Sequence, residues 1–344
     1  MVREEVLELT LDEVITLEVK YPWGVTPWNF NIGFPPISLP SWHFSWLYST
    51  IKEWTKKWNE TFPTENTFAR KFGVPTFIAR FDYATNEVKE EAFLYEIEPA
   101  PLGIGVGYLT NNPFRRKLDK LEWKNKTLVV VSSERIKGGD DHLWAEVVKE
   151  NEWLDVRKEK RFIFFRGLKE KILSKWEERS ITPPPQNQNS KQYGEGWLWE
   201  KVRRDELDRI YNIKINKEKW NGIVIKGPEG YGSRGVGICL PKHTRKEVEQ
   251  WLGKRENIGI HGPRGALAKV VSEKDLYIQR FYLPNKVKVR IISSGEIVQC
   301  FGIWRIYLGY SFANGWEVLG GFFNLRPSLL IHGATDSISL IVEP

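Results

Sequence analysis

Ile223-Val-Ile-Lys-Gly-Pro-Glu-Gly-Tyr-Gly-Ser-Arg-Gly-Val-Gly237 is the stretch on which the reading of this 344-residue chain turns. A short β-branched run ends in Lys226, and five glycines (Gly227, Gly230, Gly232, Gly235, Gly237) follow within eleven residues. A strand fixes the lysine ammonium as a point charge, and glycines let backbone N–H groups close over anion oxygens. The lysine precedes the glycines and no Gly-Lys-Ser/Thr closes the loop, so this is not a Walker loop. No helix start follows the second glycine, so it is not a dinucleotide fingerprint either. Taken alone, the stretch also reads as a glycine-rich hairpin turn.

Working outward, 41% hydrophobic and 28% charged residues describe a soluble globular protein. The length suits two or three packed subdomains. No apolar run approaches the roughly 20 residues of a membrane span. The acidic, alternating N-terminus is not a signal peptide. Cys239 and Cys300 are too few for a disulfide framework or a zinc site, so a reducing, cytoplasmic setting is expected. The net charge is +7, but Lys and Arg are interspersed with Glu and Asp in no basic block. A mixed-charge surface is expected, with no nucleic-acid partner. Six of the sixteen tryptophans crowd into the first 60 residues, which reads as core or partner-facing filler.

Periodicity predicts strands within 6–20, an ordered Pro/Trp/Gly loop over 21–41 and a helix over 45–61 with Trp46, Ile51, Trp54 and Trp58 on one side. Two apolar strands, 75–83 and 92–98, flank a polar turn and predict a hairpin. A Gly/Pro loop over 99–107 comes after it. A βαβ-like unit is next: strand 127–131, helix 140–150 capped by Asp140 or Asp141, strand 161–165 and helix 168–179. Residues 182–191 form the clearest linker. A helix is expected over 197–211, then the Lys226 strand, a helix near 245–252 and a sheet over 276–307. These breaks divide the chain into a Trp-rich region (1–75), a carboxylate hairpin (76–118), a βαβ subdomain (119–182) and a final lobe (183–344). The fold class is α+β.

Alternation places Arg80 and Asp82 on one face of the first hairpin strand, and Glu96 and Glu98 on one face of its partner. A hairpin can bring the three carboxylates together, and hard oxygen ligands so placed suit Mg²⁺ between phosphates. A surface hairpin with its charges in solvent is the alternative. Three other residues look chemical but read as structural: His332 in a turn, His142 beside a helix cap, and Cys239 in the core.

The order of these elements resembles the circularly permuted ATP-grasp ligases, the glutathionylspermidine synthetase-like family in particular. That family's acid segment runs Arg-x-Asp, a hairpin, then Glu-Tyr-Asn-Ala-Asp-Thr-Pro. Here Arg80-Phe-Asp82 is followed by a hairpin and Glu96-Ile-Glu98-Pro-Ala-Pro101. Trp199-Glu-Lys201, Lys226 with its loop, Tyr277-Ile-Gln279 and Arg305 resemble the family's later elements. The departure is Glu98 where the family has Asn, which adds a charge. The resemblance covers about residues 76–107 and 197–333. It implies an ATP-grasp fold with a Rossmann-like subdomain over 119–182, and an ATP- and Mg²⁺-dependent ligase joining a small-molecule or peptide carboxylate to an amine. It further implies nucleotide contacts from Lys201, Lys226, Gly230, Gly232, Ser233, Gly235 and the hinge Gln279, Arg280, Phe281 and Tyr282. Asp82, Glu96 and Glu98 would be metal ligands, and Arg80 and Arg305 the catalytic arginines. A non-catalytic nucleotide-binding protein or a phosphotransferase on the same scaffold are the competing expectations.

Overall fold

The structure, a computed structural model, describes residues 6–9, 13–21, 24–61, 72–125, 129–132, 139–149, 163–166, 199–203, 222–226, 236–240, 242, 244, 246, 275–329 and 337–344. In chain order, β1 (Val6–Leu9), β2 (Val14–Tyr21), β3 (Gly24–Asn31) and β4 (Ile37–Ser38) precede helix α1 (Ser41–Thr61). The expected loop over 21–41 therefore contains a full strand: β3 pairs residue by residue with β2, which overrides its Gly and Pro content. The hairpin is next as β5 (Ile78–Asn86) and β6 (Glu91–Glu98), then helices α2 (Ile104–Thr110), α3 (Asn112–Lys120) and α4 (Glu122–Asn125).

Strands β7 (Val129–Ser132), β8 (Glu146–Lys149) and β9 (Ile163–Arg166) make a parallel three-stranded sheet in the order β8-β7-β9. The predicted helix over 140–150 is instead a 3-10 turn, Asp140–Leu143, leading into β8. Its Val147-Val148 pair favours a strand once β7 offers an edge. A second small sheet, β10-β13-β11-β12, joins β10 (Trp199–Arg203), β11 (Ile223–Lys226), β12 (Val236–Cys239) and β13 (Asp275–Arg280). Lys201 thus lies on a strand, not on the expected helix; pairing with β13 decides it. The glycine loop from 227 to 235, His332 and the helices expected over 168–179 and beyond 246 lie outside the described residues.

Strands β14 (Asn285–Ile291), β15 (Ile297–Ser311), β16 (Gly315–Arg326) and β17 (Ile338–Glu343) complete the chain. Among the described residues these join β1–β6 in one ten-stranded sheet, so the architecture is α+β with a large curled sheet and few helices. β15 is its spine. Along one edge it pairs first with β14 and then with β5; along the other it pairs with β16 from Phe301 to Ser311.

Both faces of the spine are covered. Leu47, Ile51, Trp54 and Trp58 recur at helical spacing on α1 and are buried against Ala79, Phe81, Tyr83, Ile306 and Leu308. On the opposite face, Ile104, Val106, Phe114 and Leu118 of α2 and α3 cover Tyr307 and Phe322. Each such side chain contributes about 1.5–3 kcal/mol of burial. With apolar covers above and below, any charge pointing inward from β5 or β15 must find a partner. Among the described residues, no helix is long and apolar enough to cross a membrane.

Candidate functional site

Register decides which side chains meet, because directly opposite residues project to the same face of a sheet. One row across β6, β5 and β15 reads Glu98–Arg80–Tyr307, and the next reads Glu96–Asp82–Arg305. The alternation that put Arg80 and Asp82 on one face, and Glu96 and Glu98 on one face, makes these a single face. There Asp82, Glu96 and Glu98 each place a carboxylate oxygen within 4.8 Å of the others.

Arg80 organises the group. Its Nε and a terminal nitrogen grip Asp82 bidentately at 2.7 and 3.0 Å. The same terminal nitrogen donates to Glu98 at 2.7 Å, and the other donates to the Leu102 carbonyl at 2.9 Å. Burial alone would depress this guanidinium's pKa. Asp82 and Glu98, with Tyr307, more than offset that and hold it well above the ordinary value. Arg305 reaches Asp82 with a terminal nitrogen at 3.4 Å, a looser contact. Three carboxylates facing two guanidiniums leave one formal negative charge.

The loop behind Arg80 is equally specified. Tyr307 donates to the same Leu102 carbonyl at 3.1 Å. Gly103 has φ +91°, and a β-carbon there would lie 2.7 Å from the Tyr307 hydroxyl, so only glycine fits. Beyond it, Asp140 accepts from the Gly105 and Val106 N–H groups at 2.7 and 3.3 Å. The aspartate expected to cap its own helix therefore holds the start of α2 instead. Burial raises the Tyr307 phenol well above its usual pKa, so it is a neutral donor here.

The small sheet is fastened beside this hairpin. Buried Gln279 donates to the Leu94 carbonyl at 2.9 Å, and its Oε1 has no hydrogen-bond partner among the described residues. Tyr282 stacks on Phe93 at 4.3 Å, and Arg280 lies over the Tyr282 ring at 4.9 Å. Phe281 joins Val224 and Ile238 in a small apolar cluster that Leu329, just past β16, packs against. Lys201 and Lys226 stand opposite the same residue, Tyr277, from either side of β13. Gly230, Gly232, Ser233 and Gly235 lie outside the described residues.

Two residues of this neighbourhood escape a reading of the sequence. Tyr307 sits among β15 aromatics and looks like ordinary core; only its register opposite Arg80 exposes it. Tyr95 reads as the apolar-face filler of β6, yet its hydroxyl donates to the Tyr282 carbonyl at 2.6 Å.

A divalent cation fits the donor set. Octahedral Mg²⁺ with bonds of about 2.0–2.1 Å spaces its oxygens about 3–4.2 Å apart, so a span under 4.8 Å needs little tightening. Carboxylate oxygens hold about four lone-pair sites per group, so the Arg80 bonds leave coordination capacity.

No protein-family model matches the chain, and no curated protein matches it. Among solved structures, it is similar to a protein from Methylobacillus flagellatus provisionally named a gamma-glutamylcysteine synthetase. The two are 10% identical with a TM-score of 0.41, over 86% of this chain and 84% of that one.

Proposed function

We propose that the protein is an ATP- and Mg²⁺-dependent carboxylate–amine ligase of ATP-grasp type, permuted in order, that works through an acyl phosphate. The observation that carries this reading is the convergence of Asp82, Glu96 and Glu98 on one face with Arg80 and Arg305, beside the hinge that ends β13.

Asp82, Glu96 and Glu98 would hold the metal, which would supply positive charge against that of the phosphates. Lys201 and Lys226 occupy one row of the small sheet, on either side of Tyr277. They would meet the phosphates, with Gly230, Gly232, Ser233 and Gly235 closing over them. The base would lie against Gln279–Tyr282, where the Gln279 Oε1, without a hydrogen-bond partner among the described residues, is an acceptor suited to an amino group. A substrate carboxylate oxygen would bond to the γ-phosphorus as the bond to ADP breaks. The amine nitrogen would then bond to the acyl carbon, releasing phosphate and a proton.

The chain's contribution is placement and charge. Arg80 spends its donors on Asp82, Glu98 and Leu102, so it sets the carboxylates rather than gripping phosphate. Arg305, which reaches Asp82 with a terminal nitrogen at 3.4 Å, is the guanidinium suited to the transferring phosphoryl group and the tetrahedral oxyanion. Glu98 adds a charge where the resembling family has Asn, and Arg80 meets that charge directly. The acid and amine are small molecules or peptides on this reading.

Incubation with ATP, Mg²⁺ and mixed carboxylate and amine pools tests it. ADP and phosphate are expected; AMP and pyrophosphate with a competent substrate would overturn it. Lys226→Ala should lose nucleotide binding, and unchanged ATP affinity in that variant removes Lys226 from the site.

A further inference from the structure

Tyr95 is the extra residue of a β-bulge. Asp82 pairs with Glu96 and Tyr83 pairs with Leu94, so Tyr95 has no opposite number on β5. Bulges re-aim the residues beside them and sharpen local twist. This one sits directly before Glu96, so the direction in which Glu96 points depends on how the bulge is held.

It is held from the small sheet. On one side of the bulge the Leu94 carbonyl accepts from Gln279 at 2.9 Å, and Phe93 stacks on Tyr282 at 4.3 Å. At the bulge itself the Tyr95 hydroxyl donates to the Tyr282 carbonyl at 2.6 Å. A second fastening lies at the far end of the same connection. The Asn285 amide accepts from the Thr85 N–H at 3.0 Å and donates to the Thr85 carbonyl at 3.1 Å, standing in for a rung between β14 and β5. The segment from Gln279 to Asn285 is thus pinned to the hairpin at both ends. Of these links, Tyr95 is the one that adjoins a metal-site carboxylate.

We infer that Tyr95 is a positioning residue that couples the hinge to the carboxylate cluster, so that a nucleoside seated on the hinge strengthens cation binding at Asp82, Glu96 and Glu98 without touching the cation. This rests on the proposed ligase function. The physical route is short: a base against Gln279–Tyr282 fixes the Tyr282 carbonyl, that carbonyl fixes the Tyr95 hydroxyl, and the bulge then holds Glu96 in register with Asp82. Coupling of this kind is reciprocal, so the cation must tighten the nucleoside by the same factor. One hydrogen bond sets its size at about fivefold.

The test uses the full chain, Mn²⁺ as the cation and adenosine, which has no phosphate to bridge the two sites. Mn²⁺ affinity is read by electron paramagnetic resonance with and without saturating adenosine, in the native chain and in Tyr95→Phe. The expected result is a roughly fivefold tightening in the native chain and none in Tyr95→Phe. A variant that merely loosened the fold would weaken both ligands yet keep the tightening. Equal Mn²⁺ affinity with and without adenosine in the native chain, when both bind, overturns the inference; so does coupling that persists in Tyr95→Phe. If the native chain binds neither Mn²⁺ nor adenosine, the proposed ligase function falls and takes this inference with it. Asn285→Asp, which disturbs the far fastening, should retain the coupling. Its loss there with Tyr95→Phe still coupled would move the link to Thr85 and overturn the assignment to Tyr95.

Discussion

Replacing Arg80 with methionine isolates the group on which the site's geometry depends. Methionine fills most of the same volume, so the change removes charge and hydrogen bonds more than packing. Four contacts vanish: two to Asp82 at 2.7 and 3.0 Å, one to Glu98 at 2.7 Å and one to the Leu102 carbonyl at 2.9 Å. Asp82, with 6% of its side chain exposed, keeps Arg305 at 3.4 Å. Breaking a buried pair by removing one partner costs about 3–5 kcal/mol. A second estimate agrees: two carboxylates about 4.8 Å apart repel by about 3.5 kcal/mol at an effective dielectric of about 20. Against a typical total of about 5–15 kcal/mol, the urea midpoint should fall substantially. Tryptophan fluorescence, from sixteen indoles, reports it. Two companion measurements sharpen the result. Mg²⁺ should restore part of the loss, because a cation among the carboxylates replaces the missing charge. Arg80→Met with Asp82→Leu should be less destabilised than Arg80→Met alone, since the buried Asp82 charge that Arg80 no longer grips is removed. A loss below about 1 kcal/mol, the range of an exposed pair, would refute the reasoning.

Other outcomes rest on the same packing. A β-carbon at Gly302 would run into the Phe323 ring, so Gly302→Ala should destabilise by about 1–3 kcal/mol in urea titration, and no change would mean the ring has room to move. Burial raises the phenols of Tyr83, Tyr95 and Tyr307, disfavouring their ionised forms in the fold. Their contribution to stability is complete below the unfolded pKa near 10 and is lost as pH rises above it, so absorbance near 295 nm should show these three ionising only with alkaline unfolding. Ionisation at pH 10 with the fold intact would contradict their burial. Glu87 is half-exposed; burial would raise its pKa, but the His43 ring 3.5 Å away and the Thr85 hydroxyl, with Trp42, outweigh this and lower it. Its contribution is therefore present above the unfolded carboxylate pKa and is lost as pH falls through the lower folded value. Glu87→Gln should flatten part of the acid limb of a stability–pH curve, and an unchanged limb would remove Glu87 from it.

The carboxylate cluster is legible in the sequence because its signal is local. A two-residue period and a hairpin turn bring Asp82, Glu96 and Glu98 together with no knowledge of the rest of the chain. Helix α1 is legible for the same reason, since Ile51, Trp54 and Trp58 carry the helical period. Elements decided by pairing over long distances are not. Trp199–Arg203 has a charged, mixed pattern that suits a helix, and only the distant edge of β13 makes it a strand. Gly24–Asn31 looks like a loop until β2 pairs with it. Asp140 looks like the cap of a helix over 140–150, yet it caps α2, 35 residues earlier. Tyr307 and Tyr95 carry no pattern that separates them from core aromatics; the first is set by register across β15 and the second by a bulge.

The most direct test of the central claim is a crystal structure with a non-hydrolysable ATP analogue and Mn²⁺, read by anomalous scattering. A ligase of this design predicts a Mn²⁺ peak bonded to Asp82, Glu96 and Glu98, with the base against Gln279–Tyr282 and the phosphates between that metal and Lys226. A nucleotide bound with no metal at these three carboxylates, or a metal bound elsewhere on the chain, would contradict it.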